Sequence, residues 1–368
     1  MLAVAYAMLM WYYRYGWNRI PLQPERKQHV LRGITVIIPA RNEAENIAGC
    51  LEMIYRQDFP MEKLEVLLVN DFSSDDTVAQ AEMFMAEHPG WPLRVLEPPG
   101  PAEKSSKKAS VTYAVTQATY DIIVCTDADC RAEAGWLRAY AGIFSEKNAV
   151  FVSGPVAFYR EKGFMEKGQA LEFAGLVAIG AASLSQGHPN MCNGANLAYL
   201  KTVFQEVGGY RGNDHLLSGD DEFLLHKVFR KYPQRTFFIK SREALVYTNP
   251  SSSLPAFLRQ RMRWVSKSTH YEDKRITGTL VFAYLVNLSL LVNLVLAFYF
   301  PEAVWIFIVQ LMLKYVAEWW FFRSVLDFFR RKELLRLILP AEIFHILYVV
   351  LIGLLGNFVK YTWKGRKS

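Results

Sequence analysis

Residues 33–43 read GITVIIPARNE, and the next apolar run, LEVLLV at 64–69, breaks at NDFSSDDT, residues 70–77. A third short run, Ile122-Ile123-Val124-Cys125, breaks at Thr126-Asp127-Ala128-Asp129. All three are short, continuous apolar stretches rich in β-branched residues, which is how a strand buried on both faces of a parallel sheet reads. Helical stretches separate them, one expected from about Ala44 to Gln57 and the next capped by Ser74 or Asp75. Strands alternating with helices predict an α/β fold with a mostly parallel sheet over about residues 30–250. In open sheets of this kind the ligand lies outside the carboxyl ends of the strands. Polar residues follow three successive strand ends here: Arg41-Asn42-Glu43, Asp71, and Asp127 with Asp129. No G-x-G-x-x-G or G-x-x-x-x-G-K-[ST] occurs at any of them, which argues against NAD and P-loop nucleotide sites.

Outside that segment the composition changes. Residues 278–300 carry no charge at all, and between Ile276 and Phe322 the only charged residues are Glu302, Lys314 and Glu318. A helix of about 20 apolar residues spans a bilayer core, so 278–300, 303–322 and about 337–359 predict a transmembrane region over 276–360. Residues 1–20 open with an apolar, aromatic run and predict a short amino-terminal membrane anchor rather than a cleaved leader. Basic residues in short flanks mark the cytoplasmic side. Arg14, Arg19, Arg26 and Lys27, then Lys267, Lys274 and Arg275, then the cluster Arg323 to Arg336, place the 30–250 domain in the cytoplasm. Lys360, Lys364, Arg366 and Lys367 break this pattern, and Pro340, Gly353 and Gly356 make the third run the one that could be re-entrant. Lys314 and Glu318, at i and i+4, suit an ion pair inside the second run, or a polar wall for a head group or sugar.

Of 368 residues 52% are hydrophobic, too many for a disordered chain, and 42 basic against 35 acidic residues leave a net charge of +7. The excess of basic residues near the apolar runs reads as topology and lipid electrostatics, with no nucleic acid implied. The four cysteines, at 50, 125, 130 and 192, form no zinc-ligand spacing and fit a reducing compartment.

Asp127-x-Asp129 at a strand end can share a divalent hard cation, magnesium or manganese, that also touches substrate phosphates. Taken alone such a pair also describes an acidic loop. VIIPARNE (36–43), VNDFSSDDT (69–77), DAD (127–129), GDDEF (219–223) and QRMRW (260–264) occur in that order. Together they resemble the membrane-integrated inverting glycosyltransferases of family 2, which have the GT-A fold. Gln-x-x-Arg-Trp is shared by polysaccharide synthases and ceramide glucosyltransferases. The resemblance implies that Ala40, Arg41, Glu43 and Asp71 line the nucleotide pocket, with Asn70 standing where most relatives carry a first Asp. It implies that Lys107, with Lys108 as the neighbouring alternative in the run from Lys104, reaches donor phosphate. It makes Asp127 and Asp129 the metal ligands, with Asp127 also on the donor, and Asp221 in Ser218-Gly219-Asp220-Asp221-Glu222 the catalytic base. Nearby carboxylates and partial burial are what would raise an aspartate toward neutrality for that work.

Gln260, Arg263 and Trp264 share one face of an amphipathic interfacial helix within 251–275. The resemblance puts Gln260 and Arg263 on the donor diphosphate and Trp264 on the acceptor; an interfacial basic helix would show the same composition. Asn193-Gly194-Ala195-Asn196 and Gly208-Gly209-Tyr210 match the acceptor-side segment. The function implied is transfer of a hexose or N-acetylhexosamine from a nucleotide sugar, UDP-linked, to a membrane lipid or lipid-linked acceptor at the inner face of the cell membrane. A processive polysaccharide synthase on a growing glycan is the alternative, and a non-catalytic membrane scaffold a remoter one.

Overall fold

The computed structural model describes the chain except for residues 24–30, 103, 104, 213–218, 268–270, 356–361, 364, 365 and 368. Arg26, Lys27, Lys104, Ser218, Gly356, Lys360 and Lys364 therefore lie outside the described residues. The chain forms two compact units, one of Met1–Arg19, Arg160–Ala182 and Pro250–Ser368, the other of Ile20–Tyr159 and Ser183–Asn249.

The second unit is built on a sheet. The three apolar runs form β1 (Ile34–Ala40), β2 (Leu64–Asn70) and β4 (Ile122–Cys125), with β3 (Leu93–Leu96) beside β2. These four run parallel in the order β3-β2-β1-β4, and nearly every residue of β1, β2 and β4 is buried. The chain leaves β1 for β2 and β3 on one side and returns to β4 on the other. The ends of β1 and β4 therefore flank the point where strand order reverses, the usual place for a ligand in such a sheet. Beyond β4 the sheet turns mixed. β8 (Leu197–Leu200) is antiparallel to β4 and to β6 (Phe151–Ser153), and β9 (Thr236–Phe238) is parallel to β6. A small second sheet joins β5 (Arg131–Ala132), β10 (Val246–Thr248) and β7 (Val156–Phe158). The helices are α2 (Ile47–Tyr55), α3 (Thr77–Glu87), α4 (Lys107–Gln117), α5 (Trp136–Glu146), α7 (Lys201–Glu206) and α8 (Asp220–Lys231).

Asn196 ties these layers together from a fully buried position. Its Oδ1 accepts from Trp136 Nε1 at 2.9 Å and from the Tyr140 hydroxyl at 2.8 Å. Its Nδ2 donates to the carbonyls of Pro155 at 2.7 Å and Ala244 at 2.8 Å. Gly154 must be glycine for this to fit, because a Cβ there would lie 2.4 Å from both Asn196 Nδ2 and the Tyr140 hydroxyl. Each partner left unsatisfied in the core costs about 1–3 kcal/mol. Asn196→Ala strands four of them, so it is expected to lower thermal stability more than any exposed substitution, by about 3 kcal/mol or more. Scanning calorimetry of the variant checks this, and an unchanged Tm would refute the role of Asn196 as a core hub.

The first unit is helical: α1 (Leu2–Arg19), most of α6 (Gly163–Ser185), α9 (Leu254–Val265), α10 (Lys274–Leu296), α11 (Pro301–Phe328) and α12 (Ile338–Leu355). Four helical segments among the described residues are long and apolar enough to cross a membrane: Gly163–Ser185, Lys274–Leu296, Pro301–Phe328 and Lys332–Leu355. The last three match the runs read from sequence. Among the described residues, helices long and apolar enough to cross a membrane are therefore not found at both ends. α1 is not among the four, since Arg14, Asn18 and Arg19 dilute its 18 residues. Gly163–Ser185 is the helix missed. No charge-free run of span length announces it, because Glu166, Lys167 and Glu172 interrupt its first half.

The charges buried in α11 and α12 are paired. Lys314, fully buried, lies 2.7 Å from Glu318 and 2.5 Å from Glu342 of α12, and Tyr6 of α1 donates to Glu318 at 2.5 Å. The pair expected at i and i+4 is thus part of a cluster drawing on three helices. One ammonium shared by two carboxylates reduces the desolvation cost of each.

Candidate active site

Each strand end of the sheet unit delivers one part of the site. β1 stops at Ala40, whose carbonyl accepts the Asp71 amide at 2.8 Å. Arg41 Nη1 donates to the Asp71 carbonyl at 2.9 Å, and Asp71 itself is buried, with its Oδ1 accepting from the Ser105 hydroxyl. The two loops are laced together further on. Glu43 N–H donates to Thr77 Oγ1 at 2.8 Å, Ala44 N–H to Asp75 Oδ2 at 3.1 Å, and Asn42 N–H to Ser73 Oγ at 3.1 Å. Burial raises the Asp75 carboxyl, and the bonds from Thr77 and Ala44 outweigh it and hold it below the usual aspartate range. Asn42 and Phe72 adopt left-handed backbone, at φ +54° and +55°, and for Phe72 that is a strained position held by its surroundings. The loops that carry Ala40, Arg41, Glu43 and Asp71 are thus tied to each other by hydrogen bonds.

The loop after β4 supplies Asp127 and Asp129. Asp127 Oδ1 accepts from Lys107 Nζ at 2.6 Å, and the same ammonium lies 3.9 Å from Asp220. Lys107 is the first residue of α4, capped by Ser106, and Lys108 follows it into the buried side of that helix. Lys107 thus meets Asp127 directly. Burial would lower its ammonium, but Asp127, Asp220 and Asp221 outweigh this and hold it well above the ordinary lysine range. Asp129 accepts from Thr248 Oγ1 at 3.0 Å, and its carboxyl is pushed up by burial first and then by the Asp127 charge.

Asp221 sits at the second position of α8, after Gly219, whose φ of +80° suits a glycine. Three acidic residues in that first turn face the positive end of the helix dipole. Asp221 Oδ2 accepts from the Gly194 amide at 2.8 Å and Oδ1 from the Glu222 amide at 2.9 Å, so two backbone donors set its orientation. A Cβ on Gly194 would stand 3.5 Å from Lys107 Nζ and 3.6 Å from Asp221, which shows how near these groups lie to one another. Lys107, Asp127, Asp220, Asp221 and Gly194 thus form one cluster.

Gln260, Arg263 and Trp264 belong to the helical unit, on α9. Gln260 Oε1 accepts from Arg261 Nη1 at 2.9 Å, and Trp264 stacks on Phe173 with centroids 6.2 Å apart. Arg263 is half-buried on the same helix.

The sequence model of Glycosyl transferase family 21 matches residues 1–367. The chain belongs to this family. The resemblance read from the motifs pointed to family 2, and the matched family is 21. Two curated relatives are similar to this family 21 chain. Glycosyltransferase AglE of Haloferax volcanii is 29% identical over 188 residues, 51% of this chain and 58% of that protein. Poly-beta-1,6-N-acetyl-D-glucosamine synthase of Staphylococcus aureus is 27% identical over 199 residues, 53% of this chain and 45% of that protein. The chain spans about half the length of the curated relatives it matches. Among solved structures, mannosyltransferase PcManGT from Pyrobaculum calidifontis, in complex with GDP-Man and Mn2+, superposes with a TM-score of 0.59 at 17% identity. It covers 97% of this chain and 98% of its own, a likeness of fold.

Among the described residues no three His, Cys, Asp or Glu side chains converge as a complete metal site. Two carboxylates fit a magnesium- or manganese-type ion that takes its other ligands from water and phosphate. Asp129, pushed up by burial and by its like-charged neighbour, is the kind of group a cation relieves. Four pairings were missing from the motif reading: Ser105 on Asp71, Thr248 on Asp129, Gly194 on Asp221 and Asp220 beside Lys107. Gly194 and Asp220 at least lie in segments the motifs marked, Asn193–Asn196 and Gly219–Glu222; Ser105 and Thr248 carry no such signal.

Proposed function

We propose that this family 21 chain is a membrane-bound, inverting, metal-dependent glycosyltransferase. It moves a hexose or N-acetylhexosamine from a UDP-linked sugar to a lipid or lipid-linked acceptor, with the sheet unit in the cytoplasm. The observation that carries this reading is the Lys107–Asp127–Asp220–Asp221 cluster at the strand-order reversal. It sets one cation and three carboxylates where a sugar diphosphate would arrive.

Asp71, Arg41, Glu43 and Ala40 hold the nucleoside. Lys107 leaves Asp127 for donor phosphate; Asp127 and Asp129 would hold the ion, which would supply neutralisation of the charge on the departing diphosphate. Asp221, oriented by the Gly194 and Glu222 amides, accepts the proton of the acceptor hydroxyl as that oxygen bonds to the anomeric carbon. The bond to the diphosphate breaks on the opposite face, so the configuration inverts. Gln260 and Arg263 bind the diphosphate, and Trp264 binds the acceptor.

The Staphylococcus aureus relative supports a second reading, a processive synthase extending a glycan. The two differ in product. Purified protein in detergent is given UDP-sugars and GDP-mannose with manganese, with and without total lipid extract, and nucleotide release is followed. Release that requires lipid is expected. Release without lipid, together with a high-mass product that a glycoside hydrolase degrades, would favour the synthase. No release with any donor, and no donor binding, would overturn the enzymatic reading.

A further inference from the structure

Arg261, in the middle of the Gln260–Trp264 run, was assigned no role by the motif, yet it is the most deeply buried residue of the five, 4% exposed. Its guanidinium forks onto Glu172 of α6, with Nη2 2.6 Å from Oε2 and Nε 3.3 Å from Oε1. The Tyr348 hydroxyl of α12 donates to the same carboxylate. The guanidinium carbon lies 4.2 Å from the Trp264 ring centroid and 4.5 Å from that of Phe257, while Nη1 holds Gln260. Phe173, next to Glu172, stacks on Trp264 at 26°. One guanidinium therefore touches two of the three motif residues, and what anchors it comes from two other helices.

Stability alone is a weak reason for such a pair. Replacing a buried ion pair by apolar groups is often neutral or stabilising, whereas removing one partner is costly. What an arginine fork adds over a lysine is a fixed plane and direction. The anchor is itself held firmly, since α6 passes so close to α11 that a Cβ on Gly175 would lie 2.8 Å from the Phe322 ring.

We propose that Glu172, assisted by Tyr348, is a positioning residue for sugar transfer: it orients Arg261, and Arg261 sets the places of Gln260 and Trp264. This rests on the reading above that gives Gln260 and Trp264 contacts with substrate.

The test uses the full chain in detergent with the donor panel and lipid extract. Glu172→Gln and Arg261→Lys are each expected to lower kcat about tenfold or more, since small misplacements of binding groups cost that much. Glu172→Gln/Arg261→Met removes both charges, and its Tm is expected to recover to near wild type while kcat stays low. Recovery of kcat along with Tm would show a merely structural pair and overturn the proposal. Should the wild type transfer no sugar from any donor, the proposed function fails and Trp264 emission decides the positioning. The difference between wild-type and Trp264→Phe spectra isolates that emission. Glu172→Gln is expected to shift it, and an unshifted spectrum would overturn the proposal.

Discussion

Asp221→Asn is expected to lower sugar transfer about 10²–10⁴-fold, the usual worth of a positioned general base. Asparagine keeps the shape and one acceptor oxygen for the Gly194 or Glu222 amide, so α8 and its first turn remain in place. It cannot take up the acceptor proton at neutral pH. Donor affinity, measured by calorimetric titration with the active nucleotide sugar, should be nearly unchanged, because the nucleoside contacts proposed above are at Arg41 and Asp71. A kcat that falls with donor affinity intact identifies an interaction made in the transition state. Retained turnover would remove Asp221 from the chemistry and turn attention to Asp220, whose carboxylate lies 3.9 Å from Lys107.

Asp129→Asn should separate activity from stability in opposite directions. Its carboxyl is pushed up by burial and by the Asp127 charge, so the ionised form costs stability in the folded state at neutral pH. That cost disappears as pH falls and the wild-type carboxyl takes a proton. Asparagine can still accept from Thr248 and carries no charge, so the variant should melt higher than wild type near neutrality, with the difference shrinking toward acid pH. Metal affinity should fall by at least about 10–100-fold, since even outer-shell partners of metal ligands are worth that much. Manganese should raise the Tm of the wild type and leave that of the variant unmoved. A variant whose melting still responds to manganese as wild type does would remove Asp129 from the metal site.

Much of the sheet unit was legible because burial on both faces leaves a local mark. Ile34–Ala40, Leu64–Asn70 and Ile122–Cys125 are continuous apolar runs, and each stops where polar residues begin. The antiparallel β8 and the three-stranded second sheet were not legible. Their strands are two to four residues long, too short for any period to show. The three carboxyl-terminal helices could be read from hydropathy, whereas Gly163–Ser185 could not, because Glu166, Lys167 and Glu172 interrupt its apolar pattern. Glu172 is the plain case: it spoils the apolar pattern, and Arg261 and Tyr348 explain its presence.

The same division runs through the site. Strand ends in an α/β sheet converge whatever the loops between them do, so position after a strand was enough to mark Arg41, Asp71, Asp127 and Asp129; Asp221 and the Lys107-Lys108 pair, which lie at helix starts, were marked only by the family resemblance. That Lys107 reaches Asp127, 20 residues further on, depended on the rotation of α4, about 100° per residue, which no local pattern reports. That Gly194 orients Asp221, 27 residues further on, and that Thr248 reaches back 119 residues to Asp129, depended on closure of the whole sheet. Local burial periodicity is a property of the chain and is written in it. The hydrogen-bond partner of a polar side chain is chosen among all groups that folding brings within about 3 Å, and only the tertiary structure decides that.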